Sequence, residues 1–240
     1  MPIGSGWIAG IDGCPAGWML VLAPLEGPFT PRLVVLPHLT DIGALGLPMA
    51  ALAIDMPIGL PDRIEGPGRG AERAVRKLLG ARQSSVFSIP VRAAVEALEY
   101  RAACSAAEAG SDPPRKIAKQ AFNLFPKIRE LDSWLRGDVP PGFPVVETHP
   151  ELVFRHLKGM PLEHPKKTPE GKTERRALLL AAGIPVEQLA VLPPKGAGQD
   201  DLIDAWACLI TARRLTEGTA KPHPENFERD RFGLPMAIFA

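Results

Sequence analysis

The chain has 240 residues, of which 45% are hydrophobic and 23% charged. That is enough apolar material to bury a core, and it excludes disorder throughout. Lys and Arg total 28 against 27 Asp and Glu, for a net charge of +1, so the molecule as a whole has no strong field to draw in nucleic acid or an anionic membrane. Cys14, Cys104 and Cys208 are far apart and form no Cys-x-x-Cys, which argues against a zinc knuckle, a redox dithiol and a disulfide scaffold and makes a reducing cytoplasm the expected setting. No basic stretch followed by an apolar run opens the chain and no run of about 18 apolar residues follows, so neither a signal peptide nor a membrane span is expected.

In chain order, the predicted elements begin with three strands. Trp7–Gly13, Trp18–Leu25 and Arg32–Leu36 are short and apolar, and Gly13 to Gly17 supplies turn chemistry between the first two. A short helix or turn is expected near Asp41–Leu47, then a buried strand Ala51–Met56 that stops at Pro57. Residues 60–143 read as a helical insertion. Its helices are expected at Ala71–Leu79, Val91–Ala109, Lys116–Phe125 and Lys127–Leu135, with a split at Pro126. Pro144–Glu147 reads as a fifth strand. Pro150 opens a helix ending at Gly159, Thr173 caps a helix Glu174–Ala182, and Asp200 caps a last long helix Asp201–Thr216. Met236–Phe239 suits a short edge strand. This order predicts one mixed α/β domain over residues 1–240, with the sheet at its centre.

The acids fall in places that need explaining. Asp12 ends the first strand and Asp55 the fourth, both otherwise apolar. Burying an ionised carboxylate is costly unless it is paired or binds a metal. Alternation puts Gly10 on the Asp12 face, and Ala53 and Ala51 on the Asp55 face. Each aspartate therefore stands on a surface that another element can approach closely. Asp201 and Asp204 share a helix face, with Cβ atoms about 5–6 Å apart, and Ala205, Cys208 and Ala212 continue that stripe as small residues. Such a helix can lie close on a sheet and bring its acids toward Asp12 and Asp55. Glu147 ends the fifth strand and is a fifth candidate. Clustered oxygen ligands suit Mg²⁺ or Mn²⁺ and not zinc. Each acid also has a plainer use: Asp12 in a turn before Gly13, Asp55 bonding amides before Pro57, and the helical acids facing the dipole.

Together these residues resemble a known family. Gly10-Ile11-Asp12-Gly13-Cys14-Pro15-Ala16-Gly17-Trp18, Ile54-Asp55-Met56-Pro57-Ile58-Gly59-Leu60, Arg82 with Ser84-Ser85-Val86-Phe87 and Pro90, Glu147-Thr148-His149-Pro150-Glu151 and Asp200-Asp201-Leu202-Ile203-Asp204-Ala205 are similar to the family named domain of unknown function 429, described as predicted RNase H-like nucleases. The resemblance implies an RNase H-like fold, with three antiparallel strands followed by helix-linked parallel ones. It implies acids from the first strand (Asp12), the fourth (Asp55) and a late helix (Asp201 and Asp204). The helical pair looks like that of Holliday-junction resolvases, whose fourth-strand acid is Glu where this chain has Asp55; Glu147 has no secure counterpart there. The implied chemistry is two-metal phosphodiester hydrolysis, with Asp12, Asp55, Asp201 and Asp204 holding Mg²⁺ or Mn²⁺ and Asp12 as the bridging ligand. DNA or RNA is the expected substrate class.

Local charge adds candidates for substrate contact. Residues 113–129 carry five bases and no acid, and residues 155–176 carry seven bases, Lys167 and Arg175 among them, against three acids. Either stretch suits a phosphate backbone, and equally a solvated helix face. Arg82, Ser84 and Ser85 make a donor-rich loop fit for a phosphate, or a capping turn. His149 suits an acid/base or structural role. Cys14 has no fixed histidine beside it, which disfavours nucleophilic catalysis. Few aromatic residues disfavour a base-stacking platform. Two other readings stand beside the nuclease: a phosphotransferase of the actin-like fold, which needs two related halves, and a non-catalytic binding or structural protein.

Overall fold

The computed structural model describes residues 6–240. They form two compact units. One comprises residues through Asp55, Pro141–Lys221 and Phe239–Ala240; the other comprises Met56–Pro140 and Pro222–Ile238. The elements in chain order are β1 (Trp7–Cys14), β2 (Gly17–Pro24), β3 (Arg32–Leu36), a 3-10 turn (Leu39–Leu45) and β4 (Met49–Ile54) in the first unit. The second unit follows with β5 (Ile64–Glu65), α1 (Gly70–Leu79), a 3-10 turn (Gly80–Ser85), α2 (Arg92–Glu96), α3 (Tyr100–Ala109), β6 (Ser111–Asp112), α4 (Lys119–Phe122) and α5 (Phe125–Arg136). The chain returns to the first unit with β7 (Val145–Thr148), α6 (Pro150–Lys158), α7 (Pro169–Ala181), α8 (Val186–Leu189) and α9 (Gln199–Thr216).

The first unit is built on a sheet in the order β3-β2-β1-β4-β7. β1 pairs antiparallel with β2, and β2 with β3; β1–β4 and β4–β7 are parallel. Mixed α/β architecture with three antiparallel strands leading into helix-linked parallel ones is the RNase H-like arrangement the sequence led us to expect. α9 packs on this sheet as a core helix. Every residue from Leu202 to Ala212 is buried, the mark of a helix apolar on all sides. Its close approach depends on Gly10. A Cβ there would lie 2.1 Å from the Leu209 amide nitrogen and 2.2 Å from the Ala205 carbonyl oxygen. The Thr148 and Thr211 hydroxyls lie 3.0 Å apart, joining β7 to α9. Thr148 Oγ1 also donates to the Phe239 carbonyl at 2.7 Å.

The second unit is mainly helical, with β5 and β6 as a parallel two-stranded ribbon. Arg92, 1% exposed, holds it together. Its guanidinium donates to both oxygens of Asp132 at 2.7 and 3.0 Å and to Asp230 Oδ2 at 2.7 Å. Asp230 also accepts the Leu60, Phe232 and Leu234 amides at 3.1, 2.9 and 3.0 Å. A buried charge is tolerated when it is paired in this way, although Arg92 Nε finds no partner.

Several local readings shift. The expected helix Val91–Ala109 is two helices, α2 and α3, separated at Ala97–Glu99, and the expected helix at Lys116–Phe125 shrinks to α4. Pro126 sits in the first turn of α5 and does not split it. Thr168, not Thr173, caps α7, its Oγ1 accepting the Gly171 amide at 3.1 Å. Gly198 stands at the N-cap of α9 in place of Asp200. Among the described residues no helix is long and apolar enough to cross a membrane.

Candidate active site

The register of the parallel strands decides which acids meet. Gly10, Ala53 and Val146 are opposite one another, as are Ile11, Ile54 and Glu147. One step further, Asp12, Asp55 and Thr148 stand on the face of Gly10, and that face is covered by α9. Asp12 is 9% exposed and Asp204, in the second turn of α9, is 5% exposed. Asp12 Oδ1 accepts the Gly13 amide at 2.7 Å.

Electrostatics report the convergence. The Asp12 carboxyl is pushed well above its ordinary range, first by burial and then by the charges of Asp55, Asp204 and Asp201, with Lys166 opposing. Asp55 is raised by burial and by Glu151, against His149 and Lys166. Asp204 is raised to about 6, by burial and the Asp55 charge, although Lys166 donates to its Oδ2 at 2.9 Å. The Lys166 ammonium is held more firmly protonated by the same carboxylates despite its own burial. The two partners shift in the same sense because burial, helped by Asp55 and Glu151, outweighs the lysine at Asp204, while at Lys166 the carboxylates together outweigh burial. Cys208 lies under the group, its thiol pushed up by burial and by Asp55, Asp12 and Asp204, so it stays protonated and is no nucleophile.

The other candidates fall elsewhere. Asp201 is half-buried and its Oδ2 accepts the Gly198 amide at 2.8 Å, a helix-start bond, while its charge still reaches Asp12. Glu147 is a correction. It is buried at 4%, but it shares the face of Ile54, opposite to that of Asp12 and Asp55. The fifth strand runs through Thr148 and not to Glu147, and a one-residue step turns a side chain to the other face. Arg175 is also corrected as a substrate contact. It is 2% exposed, is paired with Glu151, and donates to the Gly171 and His164 carbonyls at 2.9 and 3.3 Å. Lys167 is exposed. Arg82, Ser84 and Ser85 lie in the 3-10 turn of the second unit, where Ser85 Oγ donates to the Arg82 carbonyl at 2.8 Å.

Lys166 and Glu151 are the charged neighbours that sequence reading did not assign to this site. Glu151 follows the Glu147-Thr148-His149-Pro150 string, so its presence was signalled. Lys166 sits 38 residues before Asp204 in a loop, with no periodicity to point at it.

The donor set is all carboxylate oxygen, which suits a hard divalent cation. Buried Asp12 and Asp204 and half-buried Asp55 all have raised proton affinity, in part from neighbouring acids, which a bound cation would relieve. Among the described residues no three Asp, Glu, His or Cys groups are arranged so as to hold a metal ion.

No curated protein matches the chain significantly. A solved structure of Thermus thermophilus RuvC is similar at 16% identity over 89% of this chain and 97% of that one, with a TM-score of 0.32. At that score the likeness does not bear on the fold, which rests on the strand order. The family model described as Protein of unknown function (DUF429) matches residues 10–229. With nearly the whole length matched, the chain belongs to the DUF429 family.

Proposed function

We propose that this protein is a divalent-metal-dependent nuclease that hydrolyses phosphodiester bonds at the Asp12–Asp55–Asp204 cluster. The observation that carries the reading is the convergence of three carboxylates, from two parallel strands and a core helix, at one end of the sheet. Mg²⁺ or Mn²⁺ held there would polarise the phosphate and activate water. Asp12 and Asp55 stand at fixed strand ends and Asp204 on a buried helix, so each carboxylate is oriented by rigid backbone. Asp201 supplies further negative charge from the first turn of α9. Exposed Lys167 and Arg176 lie in the same sequence stretch as Lys166 and are suited to phosphate contact.

An actin-like phosphotransferase is less well supported. It needs two related halves, whereas here one unit is built on the mixed sheet that contains β3-β2-β1-β4-β7, with helices, and the other is mainly helical with a two-stranded ribbon.

Single-stranded, duplex, hybrid and branched DNA and RNA, incubated with Mg²⁺ or Mn²⁺, test the reading. Cleavage that requires metal and weakens as salt rises is expected. No cleavage of any substrate would leave a non-catalytic protein on the same fold.

A further inference from the structure

A cavity of about 400 Å³ opens within the second unit, formed by residues between Ile64 and Ala121. That volume lies at the small end of the range for small-molecule sites, about 300–1,000 Å³, so the cavity admits one compact ligand. Its interior is apolar: Ile64, Ile89, Val91 and Ile117 line it and are buried. Phe87 also lines it and stays 39% exposed. The stretch Phe87–Val91, which the carboxylate cluster does not use, supplies one wall.

The walls are fastened by the protein itself. Two arginines of α1 hold the segments on one side. Arg73 donates to the Glu65 and Gly68 carbonyls, and Arg76 to the Pro67 and Val86 carbonyls at 2.7 and 2.8 Å. Arg76 also donates to Ser88 Oγ at 2.8 Å, an arrangement that leaves the Ser88 hydroxyl proton to be given to a ligand. On the other side, Ser111 Oγ accepts the Arg115 amide at 2.9 Å and the Tyr100 hydroxyl donates to the Ile117 carbonyl at 2.8 Å. Walls made ready in this way lower the ordering cost of binding. Gly66 and Gly68, at φ of 84° and 102°, line the cavity with backbone alone, so the edge of a ligand can reach the main chain.

The charge at the cavity has one sign. Arg115 and Lys116 line it and are exposed, and among the described residues that line it none is acidic. Lys116 Nζ is 3.9 Å from Glu108 Oε1 with both side chains exposed, a contact too loose to neutralise it. An apolar interior, an aromatic ring, a hydroxyl donor and two cations together match a flat heteroaromatic body that carries an anionic group. An aliphatic acid would use the cations but neither the ring nor the Ser88 donor.

We propose that this cavity binds a single nucleotide, with the base against Phe87 and the phosphate at Arg115 and Lys116. The nucleotide is either free or at an unpaired position of a nucleic acid, and the chemistry recognised is the same. Binding here needs none of the carboxylates of the first unit.

Calorimetric titration of the whole chain in chelator, so that metal-dependent cleavage plays no part, tests this with two probes: the four ribonucleoside 5′-monophosphates, and a single-stranded hexanucleotide of mixed sequence. One ligand per chain is expected for at least one probe. Phe87→Ala, and separately Arg115→Ala with Lys116→Ala, should each weaken it about tenfold, while Phe87→Tyr, which keeps the ring, should bind as the wild type does. The ring and cation variants are independent, so one that fails to fold leaves the other to decide. A monophosphate that binds as tightly as the hexanucleotide identifies a free nucleotide; binding of the hexanucleotide alone identifies an unpaired position in a chain. Absence of binding by both probes, affinity unchanged in the folded ring or cation variants, or displacement of the nucleotide by octanoate would overturn the assignment.

Discussion

Asp12→Asn is expected to abolish metal-dependent cleavage, by about 10³-fold or more, while raising the melting temperature of the metal-free protein. The two effects have one cause. Asp12 is buried among Asp55, Asp204 and Asp201, so its charge is unfavourable for the fold and useful only when a cation shares it. The pH dependence follows from the direction of the shifts. Asp12, Asp55 and Asp204 hold their protons more tightly folded than unfolded, Asp204 up to about 6. Between the unfolded and folded values the native state binds more protons, so the cluster's contribution to stability falls as pH rises through that window. Lys166, raised above 10.5, contributes stability that is lost only at still higher pH and does not enter this range. In chelator at pH 7.5 the asparagine variant should therefore melt several degrees above the wild type, about 2–4 °C for each kcal/mol of relief. Near pH 4 the gap should shrink, as the wild-type carboxyls become protonated. Scanning fluorimetry at the two pH values, with cleavage assayed in parallel, checks both halves. A variant that cleaves normally, or that melts below the wild type in chelator at pH 7.5, would contradict the assignment.

Gly10→Ala should strongly destabilise the first unit. The added Cβ would press on the Leu209 amide and the Ala205 carbonyl. Both are backbone atoms of a buried helix and cannot rotate away as a side chain can. α9 must lift from β1, and with it the residues Leu202–Ala212 that fill the core. A loss of about 3 kcal/mol or more is expected, and Asp204 is carried away from Asp12 at the same time. Urea denaturation should show the stability loss, and Mn²⁺ affinity should fall with it. A variant of wild-type stability would mean that the helix and strand are less closely apposed than described.

Asp12, Asp55 and Asp204 could be singled out in the sequence for a physical reason. Aspartates at the ends of apolar strands, on faces of Gly and Ala, stand out against the cost of burying charge. The first three strands were legible because the turn at Gly13–Gly17 and the short apolar segments point to consecutive strands, whereas the parallel pairing of β4 and β7 was expected only from the family resemblance. Glu147 stood out only as the acid at the end of the fifth strand, without a register to give its face; pairing with Ile54 turns it away from Asp12 and Asp55. The start of α7 was missed although Thr168-Pro169 carries a cap followed by a first-turn proline. Lys166 could not be read at all. Its meeting with Asp204 depends on how Glu174, Arg175 and Gly171 fold a loop back on α7, and no local pattern encodes that. Nor could the division of α2 from α3, where Ala97-Leu98-Glu99 contains no strong helix breaker.

The most direct test of the cluster is anomalous diffraction from crystals soaked in MnCl₂ above pH 7, where the carboxyls are ionised. Manganese bound by Asp12, Asp55 and Asp204 on the α9 face of the sheet is the expected result. Manganese absent from all three carboxylates, at millimolar concentration and with the protein folded, would contradict it.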